Sequence, residues 1–155
     1  MEIQRDKRRK IVLIKTLTEY ERGWLAGILD SDGHLYFGRP KSKKYKNWRI
    51  SVEVSNINLQ FLEKIREVIG SGSIHPYYSR KKEWLPAYNY KLMARDGIEK
   101  LLSQLTLIVK EKQRKLLLEA IQILEGEKTE TNKRLFEINE EFRQLNIHKR
   151  CISFG

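Results

Sequence analysis

Asp30, Ser31, Asp32 and Gly33 place two carboxylates within three positions, at the point where a helical pattern stops. A carboxylate at the C-terminal end of a helix faces the negative pole of the helix dipole, a cost of roughly 0.3–1 kcal/mol unless something positive compensates. A divalent cation can supply that charge. Mg2+ is a hard ion that takes oxygen ligands, often one or two carboxylates completed by water and phosphate oxygens. The purely local alternative is that Asp30 and Asp32 cap a turn ending in Gly33. A second chemical signal is a one-sign cluster over 39–50, where Arg39, Lys41, Lys43, Lys44, Lys46 and Arg49 occur with no acidic residue and with Tyr45 and Trp48 interleaved. Such a cluster suits phosphate contact, with the aromatics packing against sugar or base.

The whole chain carries the same bias. Its 31 Lys and Arg against 20 Asp and Glu give a net charge of +11 over 155 residues, which favours a polyanionic partner such as nucleic acid. The first 15 residues form a basic arm, whereas 125–141 hold six glutamates and are expected to face away from the polyanion. Hydrophobic residues make up 40%, enough for a core in one domain spanning 1–155. The longest apolar stretches, such as Ile11 to Ile14, fall far short of the roughly 18 residues that a membrane span needs. No secretory leader is expected, and the single cysteine, Cys151, cannot form an internal disulfide. An intracellular location is therefore expected, in a prokaryotic cytoplasm or an organelle, with no membrane partner. His148 and Cys151 are too far from other ligand types for a zinc site. No glycine-rich phosphate loop or Ser-His-Asp arrangement is visible.

The elements that must position these groups are legible from periodicity. Thr18 with Glu21 forms a capping-box pattern, and Tyr20, Trp24, Leu25, Ile28 and Leu29 recur at helical spacing, predicting a helix over about 19–31 that Gly33 ends. The period then becomes two, predicting strands through Leu35 and Phe37 and through Ile50, Val52 and Val54. Asn56 or Asn58 caps a second helix closed by Gly70. Alternating runs over 72–79 and 86–94 flank another basic turn, Arg80, Lys81 and Lys82. Asp96 and Gly97 open a helical C-terminal third, with helices near 98–106, 110–125 and 130–145. This order predicts an α+β fold with an antiparallel sheet, one face apolar and covered. The other face offers His34, Tyr36, Arg49, Ser51, Glu53, Ser73, His75, Tyr77, Asn89 and Lys91. That face meets either plain water or a DNA groove, where Arg49, Asn89 and Lys91 are the foremost candidates for reading bases.

Residues 25–33, Leu-Ala-Gly-Ile-Leu-Asp-Ser-Asp-Gly, resemble the signature of the LAGLIDADG homing endonucleases, matching six of its nine letters. The element order, the end of the second helix from Phe61 to Gly72, and the stretch Gln104 to Lys115 extend the resemblance over about 18–123. The resemblance implies an αββαββα fold with a saddle-shaped four-stranded sheet on double-stranded DNA, and a long, pseudo-palindromic target site. It also implies an intron-encoded type of nuclease that cleaves both strands with Mg2+, Mn2+ substituting and Ca2+ supporting binding without cleavage. Family members with one copy of the motif pair two such helices. Gly23, Ala26, Gly27 and Asp30 would form that homodimer interface, although a buried helix in a monomer could use the same stripe. By resemblance Asp32 is the catalytic metal ligand, and Ser31 matches the position whose backbone carbonyl joins the coordination. Lys112, in Lys110-Glu111-Lys112-Gln113, resembles the basic residue near the scissile phosphate, with Lys110 a competing choice. Asn56 resembles a position that orients nucleophilic water. An RNA maturase or a non-cleaving DNA-binding regulator of the same fold is the alternative. A ribosomal-type RNA-binding protein would suit the charge but leave the motif unexplained.

Overall fold

The computed structural model describes residues 13–39, 47–77, 86–126 and 133–152, with side chains up to 146. Helix α1 (Glu19–Ser31) opens on a reciprocal capping box. The Thr18 hydroxyl accepts the Glu21 amide at 3.2 Å, and the Glu21 carboxylate accepts the Thr18 amide at 3.0 Å. The helix stops at Asp32, which keeps right-handed geometry, and Gly33 already belongs to strand β1 (Gly33–Gly38). Gly33 is thus no left-handed helix terminator. A side chain there would stand 2.6 Å from the Leu29 Cα, so glycine is required by close approach.

Strand β2 (Arg49–Asn56) returns antiparallel to β1. Helix α2 (Leu59–Ile69) is capped by the Asn58 carboxamide and closed by Gly70 at φ +93°. Strands β3 (Ser73–Tyr77) and β4 (Ala87–Leu92) complete an antiparallel sheet of order β1-β2-β4-β3. Pro76 is tolerated because β3 lies at an edge. Helices α3 (Arg95–Leu102), α4 (Glu111–Glu125) and α5 (Lys133–Ile152) follow. The architecture is αββαββα with additional C-terminal helices, an α+β fold. Asp96 and Gly97 lie inside α3 rather than opening it, and α5 runs further than the periodicity indicates. No helix among the described residues is long and apolar enough to cross a membrane.

The inward face of the sheet, Leu35, Phe37, Ile50, Val52 and Val54, packs under α1 and α2 through Leu25, Leu29, Leu62 and Ile65. Each such side chain contributes on the order of 1.5–3 kcal/mol when fully buried. Two aromatics depart from the sequence expectation. Tyr20 is 82% exposed rather than core-facing. Trp48 is buried, stacked on Phe37 at 5.0 Å with Phe136 edge-on at 5.1 Å, and is a core residue rather than a platform for sugar or base. The cover comes from α5, whose Leu135, Ile138 and Phe142 are buried and whose Arg134 pairs with Glu119 of α4.

Two helix ends of opposite polarity meet beside this core. The Asp30 carboxylate, in the last turn of α1, accepts the amides of Ile108, Val109 and Lys110 at 2.8, 3.1 and 3.0 Å, just ahead of α4. In return the Lys110 ammonium donates to the carbonyls of Leu29, Asp30 and Gly33 at 2.6, 3.1 and 2.7 Å. Each side thereby satisfies backbone groups that the other leaves unpaired. Glu111 extends the junction by accepting the Leu107 amide and pairing with Arg114, which donates to the Leu102 carbonyl. The Arg114 hydrogen bonds, outweighing burial, hold the Glu111 carboxyl down at about 2.

Lys110→Met keeps the buried stem but leaves three backbone carbonyls without their donor. Urea unfolding should show a loss of roughly 2–5 kcal/mol, against little change for the exposed Lys112→Met. Glu111 has a depressed pKa, so its contribution is complete above the ordinary carboxyl value of 4.5 and disappears as pH falls towards about 2. Glu111→Gln should therefore lower stability at neutral pH and flatten its decline across that acid window, in unfolding curves recorded at successive pH values.

Candidate nucleic-acid interface and carboxylate site

At the C-terminal end of α1 the two aspartates have separate environments. Asp30 is committed to the amides ahead of α4, whereas Asp32 is exposed and no hydrogen bond ties its carboxylate to another described residue. Ser31, also exposed, turns its hydroxyl back to the Gly27 carbonyl at 2.9 Å. The positive charge that answers the helix dipole is Lys110, whose ammonium reaches the end of α1 from within the chain. The dipole therefore ceases to be an argument for a metal ion. Among the described residues no group of three or more His, Cys, Asp or Glu is placed to hold a metal. One chain presents a single exposed carboxylate here, half of what a two-carboxylate cation site uses.

Lys110 and Lys112 differ sharply in burial. Lys110, only 4% exposed, is consumed as a cap. Lys112, on the first turn of α4, is exposed and borders a cleft of about 530 Å3 with Glu137, Glu140, Glu141 and Gln144 of α5. Asn58, not Asn56, caps α2, while the Asn56 carboxamide oxygen accepts the Asn58 amide at 2.8 Å and shapes the entry to that helix.

The outer face of the sheet carries the side chains that period two assigns to it, in rows set by the strand register. His34, Glu53, Lys91 and Ser73 lie side by side across all four strands, and Ser55, Asn89 and His75 form the adjacent row. His34 and Tyr36 approach at 6.2 Å between ring centroids, and the His75 ring nitrogen Nε2 meets the Ser73 hydroxyl at 3.0 Å. Arg49 and Tyr77 are exposed. Ser51, however, is 3% exposed and donates to Glu53 at 3.0 Å. Burial works against the charged form of Glu53, but hydrogen bonds from Asn89 and Ser51 and the nearby Lys91 charge prevail and hold its pKa below the ordinary value. The basic residues Lys41, Lys43, Lys44, Lys46, Arg80, Lys81 and Lys82 lie outside the described residues, as do Tyr45 and the side chains of His148 and Cys151.

The small-residue stripe of α1 divides in two. Gly23 and Gly27 are exposed, and a Cβ at either would meet nothing within 4 Å. Ala26 instead packs partly against the core, and Asp30 is turned onto the amides ahead of α4. Tyr20, with no role in the core, lies on the same exposed side of the helix. Sequence reasoning missed the capping role of Lys110 and the place of Ser55 in the sheet network. The latter had a signal, since Ser55 follows Ser51 and Glu53 at period two.

No protein-family model matches the chain, and no curated protein does. Solved structures do. The homing endonuclease I-CvuI, in complex with its target in the presence of calcium, superposes with a TM-score of 0.65 at 24% identity, covering 81% of this chain and 82% of that one. The archaeal intron-encoded homing endonuclease I-Vdi141I, complexed with DNA, gives 0.68 at 19% identity, with coverages of 81% and 84%. The meganuclease I-SmaMI, bound to uncleaveable DNA, gives 0.62 at 19% identity, but the match spans 81% of this chain and only 43% of that one. The polypeptide with the Leu25-to-Gly33 motif at the end of α1 thus has the fold of the LAGLIDADG homing endonucleases.

Proposed function

We propose that the chain is one half of a site-specific, metal-dependent endonuclease that cuts double-stranded DNA as a homodimer. The observation that carries this reading is Asp32, exposed at the end of α1 while Asp30 and Lys110 beside it are fully occupied in holding that end. A structural carboxylate would be tethered; this one is available. The open glycine face of α1 gives a second copy room to approach, and pairing across a two-fold would bring two Asp32 side chains together. That pairing supplies the second carboxylate that one chain lacks. The size relation agrees, since this chain corresponds to somewhat less than half of I-SmaMI but to most of I-CvuI.

In this reading the two Asp32 carboxylates, joined by the Ser31 backbone carbonyls, hold Mg2+ or Mn2+. When bound, the ion stabilises charge on the attacking and leaving oxygens of an in-line displacement at phosphorus. Lys112 supplies positive charge towards the phosphate, and Asn56 keeps its Nδ2 group to orient water. The outer face of the sheet lies in the DNA groove, and the basic segments at the strand ends contact phosphates. The N-terminal basic arm adds to the same field, and an intracellular location follows from a DNA substrate.

Asp32→Asn preserves shape and removes the charge that recruits the cation. Cleavage of a selected duplex should fall by roughly 10²–10³-fold or more, the scale of deleting a preorganised charge-stabilising group. Gel shifts in Ca2+ should show binding retained. A variant that still cuts at full rate rejects the assignment, and unmodified protein that binds its duplex but cuts with no divalent metal favours a maturase or regulator.

Gly27→Leu tests the pairing. Because Gly27 faces open space within its own chain, the variant should still fold, but as a monomer whose melting temperature no longer depends on concentration, and should lose cleavage. Sedimentation and cleavage on the same samples check this. A Gly27→Leu protein that sediments as the unmodified protein does and cuts normally excludes α1 as the interface.

A further inference from the structure

The polar side chains at the centre of the outer sheet face are joined to one another. Glu53 Oε1 accepts Asn89 Nδ2 at 2.9 Å and lies 3.5 Å from the Lys91 ammonium, while Glu53 Oε2 accepts the Ser51 hydroxyl at 3.0 Å. On its other side Asn89 Oδ1 accepts the Ser55 hydroxyl at 2.9 Å. The chain crosses from β2 to β4 at the register pairs Glu53–Lys91 and Ser55–Asn89. Arrangement by cross-strand pairing places one carboxylate between two candidate base-reading groups.

The chemistry of this carboxylate decides what the neighbours present. A carboxylate only accepts, so Asn89 must turn its amino group towards Glu53, and its oxygen is left for the hydroxyl of Ser55. The amide is thereby barred from flipping. Its remaining donor and its remaining lone pair face outward in one order only, and that order determines which base edge it can match. Lys91 is drawn to the same carboxylate, so its position depends on the same group. A negative charge on a surface facing phosphates is otherwise unfavourable, which gives Glu53 little reason to occupy the centre of that face unless it organises its neighbours.

We infer that Glu53 is the positioning residue of base recognition: through Asn89 and Lys91 it sets the donor and acceptor order of the central sheet, so that these two residues read DNA as a coupled unit. The inference rests on the DNA-binding reading above and adds to it a specific dependence. Ser51, buried beneath the carboxylate, holds the second oxygen and fixes the carboxylate plane. Base preferences at the positions covered by Asn89 and Lys91 are then not separable, as expected for a hydrogen-bonded network whose members polarise and orient one another.

The test selects bound duplexes from a randomised library in Ca2+ with unmodified protein, Glu53→Gln, Asn89→Ala, Lys91→Ala, Ser55→Ala and the Glu53→Gln/Asn89→Ala double variant. Asn89→Ala and Lys91→Ala define the base positions that these residues read. Glu53→Gln, which keeps size but cannot accept from all three neighbours, should lower discrimination at those same positions by roughly tenfold. Affinity for a non-specific duplex should stay within a few fold. The double variant should lose no more at the Asn89 position than Asn89→Ala alone. Ser55→Ala, which removes only one hydroxyl from an exposed site, should loosen the Asn89 position most and the Lys91 position less, through the carboxylate they share. A Glu53→Gln motif identical to the unmodified one overturns the inference. So does a change confined to a position that neither Asn89→Ala nor Lys91→Ala affects, because Glu53 would then be reading a base itself. If Glu53→Gln fails to fold, Glu53→Ala takes its place, and an unchanged motif in that variant overturns the inference. Unmodified protein that enriches no sequence at all rejects the DNA-binding reading, and this inference with it.

Discussion

Two helix termini that would each be unstable alone are satisfied by one another at the junction of α1 and α4. The C-terminus of α1 has carbonyls with no amide to accept from, and the segment entering α4 has amides with no carbonyl to donate to. Asp30 and Lys110 exchange places to meet both needs, the carboxylate on three amides and the ammonium on three carbonyls. Neither half works without the other. A buried ammonium lacking acceptors, or a carboxylate lacking donors, costs several kcal/mol in an interior of low dielectric. With the capping box at Thr18, the junction holds α1 at both ends. A helix fixed at both ends can leave one face open, and the exposed backbone at Gly23 and Gly27 is such a face.

The same junction explains why two aspartates of one short motif differ in role. Residues two apart on a helix point in different directions, so the interior that claims Asp30 cannot also claim Asp32. Lys110 neutralises the helix pole from the inside, and Asp32 is therefore not needed to balance it and not bound by it. What remains is an exposed carboxylate on a rigid root. Precision at a site comes from the support beneath it, and here the support is an array of hydrogen bonds, most at or below 3.1 Å.

Much of this was legible in the sequence because it is local. Capping by Thr18 and Asn58, closure by Gly70, and the alternation through β1 and β2 each depend on residues within a turn or a strand of one another. The Asp30–Lys110 junction was not, since its partners are 80 residues apart and a lysine beside a helix start ordinarily meets water. Trp48 is hard to place from sequence for the same reason. Its type and its lysine-rich neighbours suggest an exposed aromatic, but Phe136 arrives from α5 to cover it, and nothing near Trp48 announces that contact. In the sequence Asn89 stands as an independent side chain, because its partner Glu53 becomes its neighbour only through the β2–β4 register. The sequence displays the inventory of the outer face; the pairing that orders it is a tertiary fact.

The C-terminal helix connects these two kinds of information. Its composition is acidic, and it packs on α4 through Arg134 and Glu119 and against β1 through Phe142 and Phe37. It also reaches Arg39, the last described residue before the lysine-rich segment. The Arg39 guanidinium lies 5.6 Å from the ring centroids of both Trp48 and Phe136. Such contacts are worth roughly 0.5–2 kcal/mol each, according to how much water they exclude. Trp48 stands just beyond the other end of that segment, stacked on Phe37, against which Phe142 also packs. Both flanks of the most basic stretch in the chain are therefore rooted in an aromatic cluster that α5 completes. Helix α5 thereby bears on how firmly both ends of that basic segment are held, through aromatic side chains that lie far from it in the sequence.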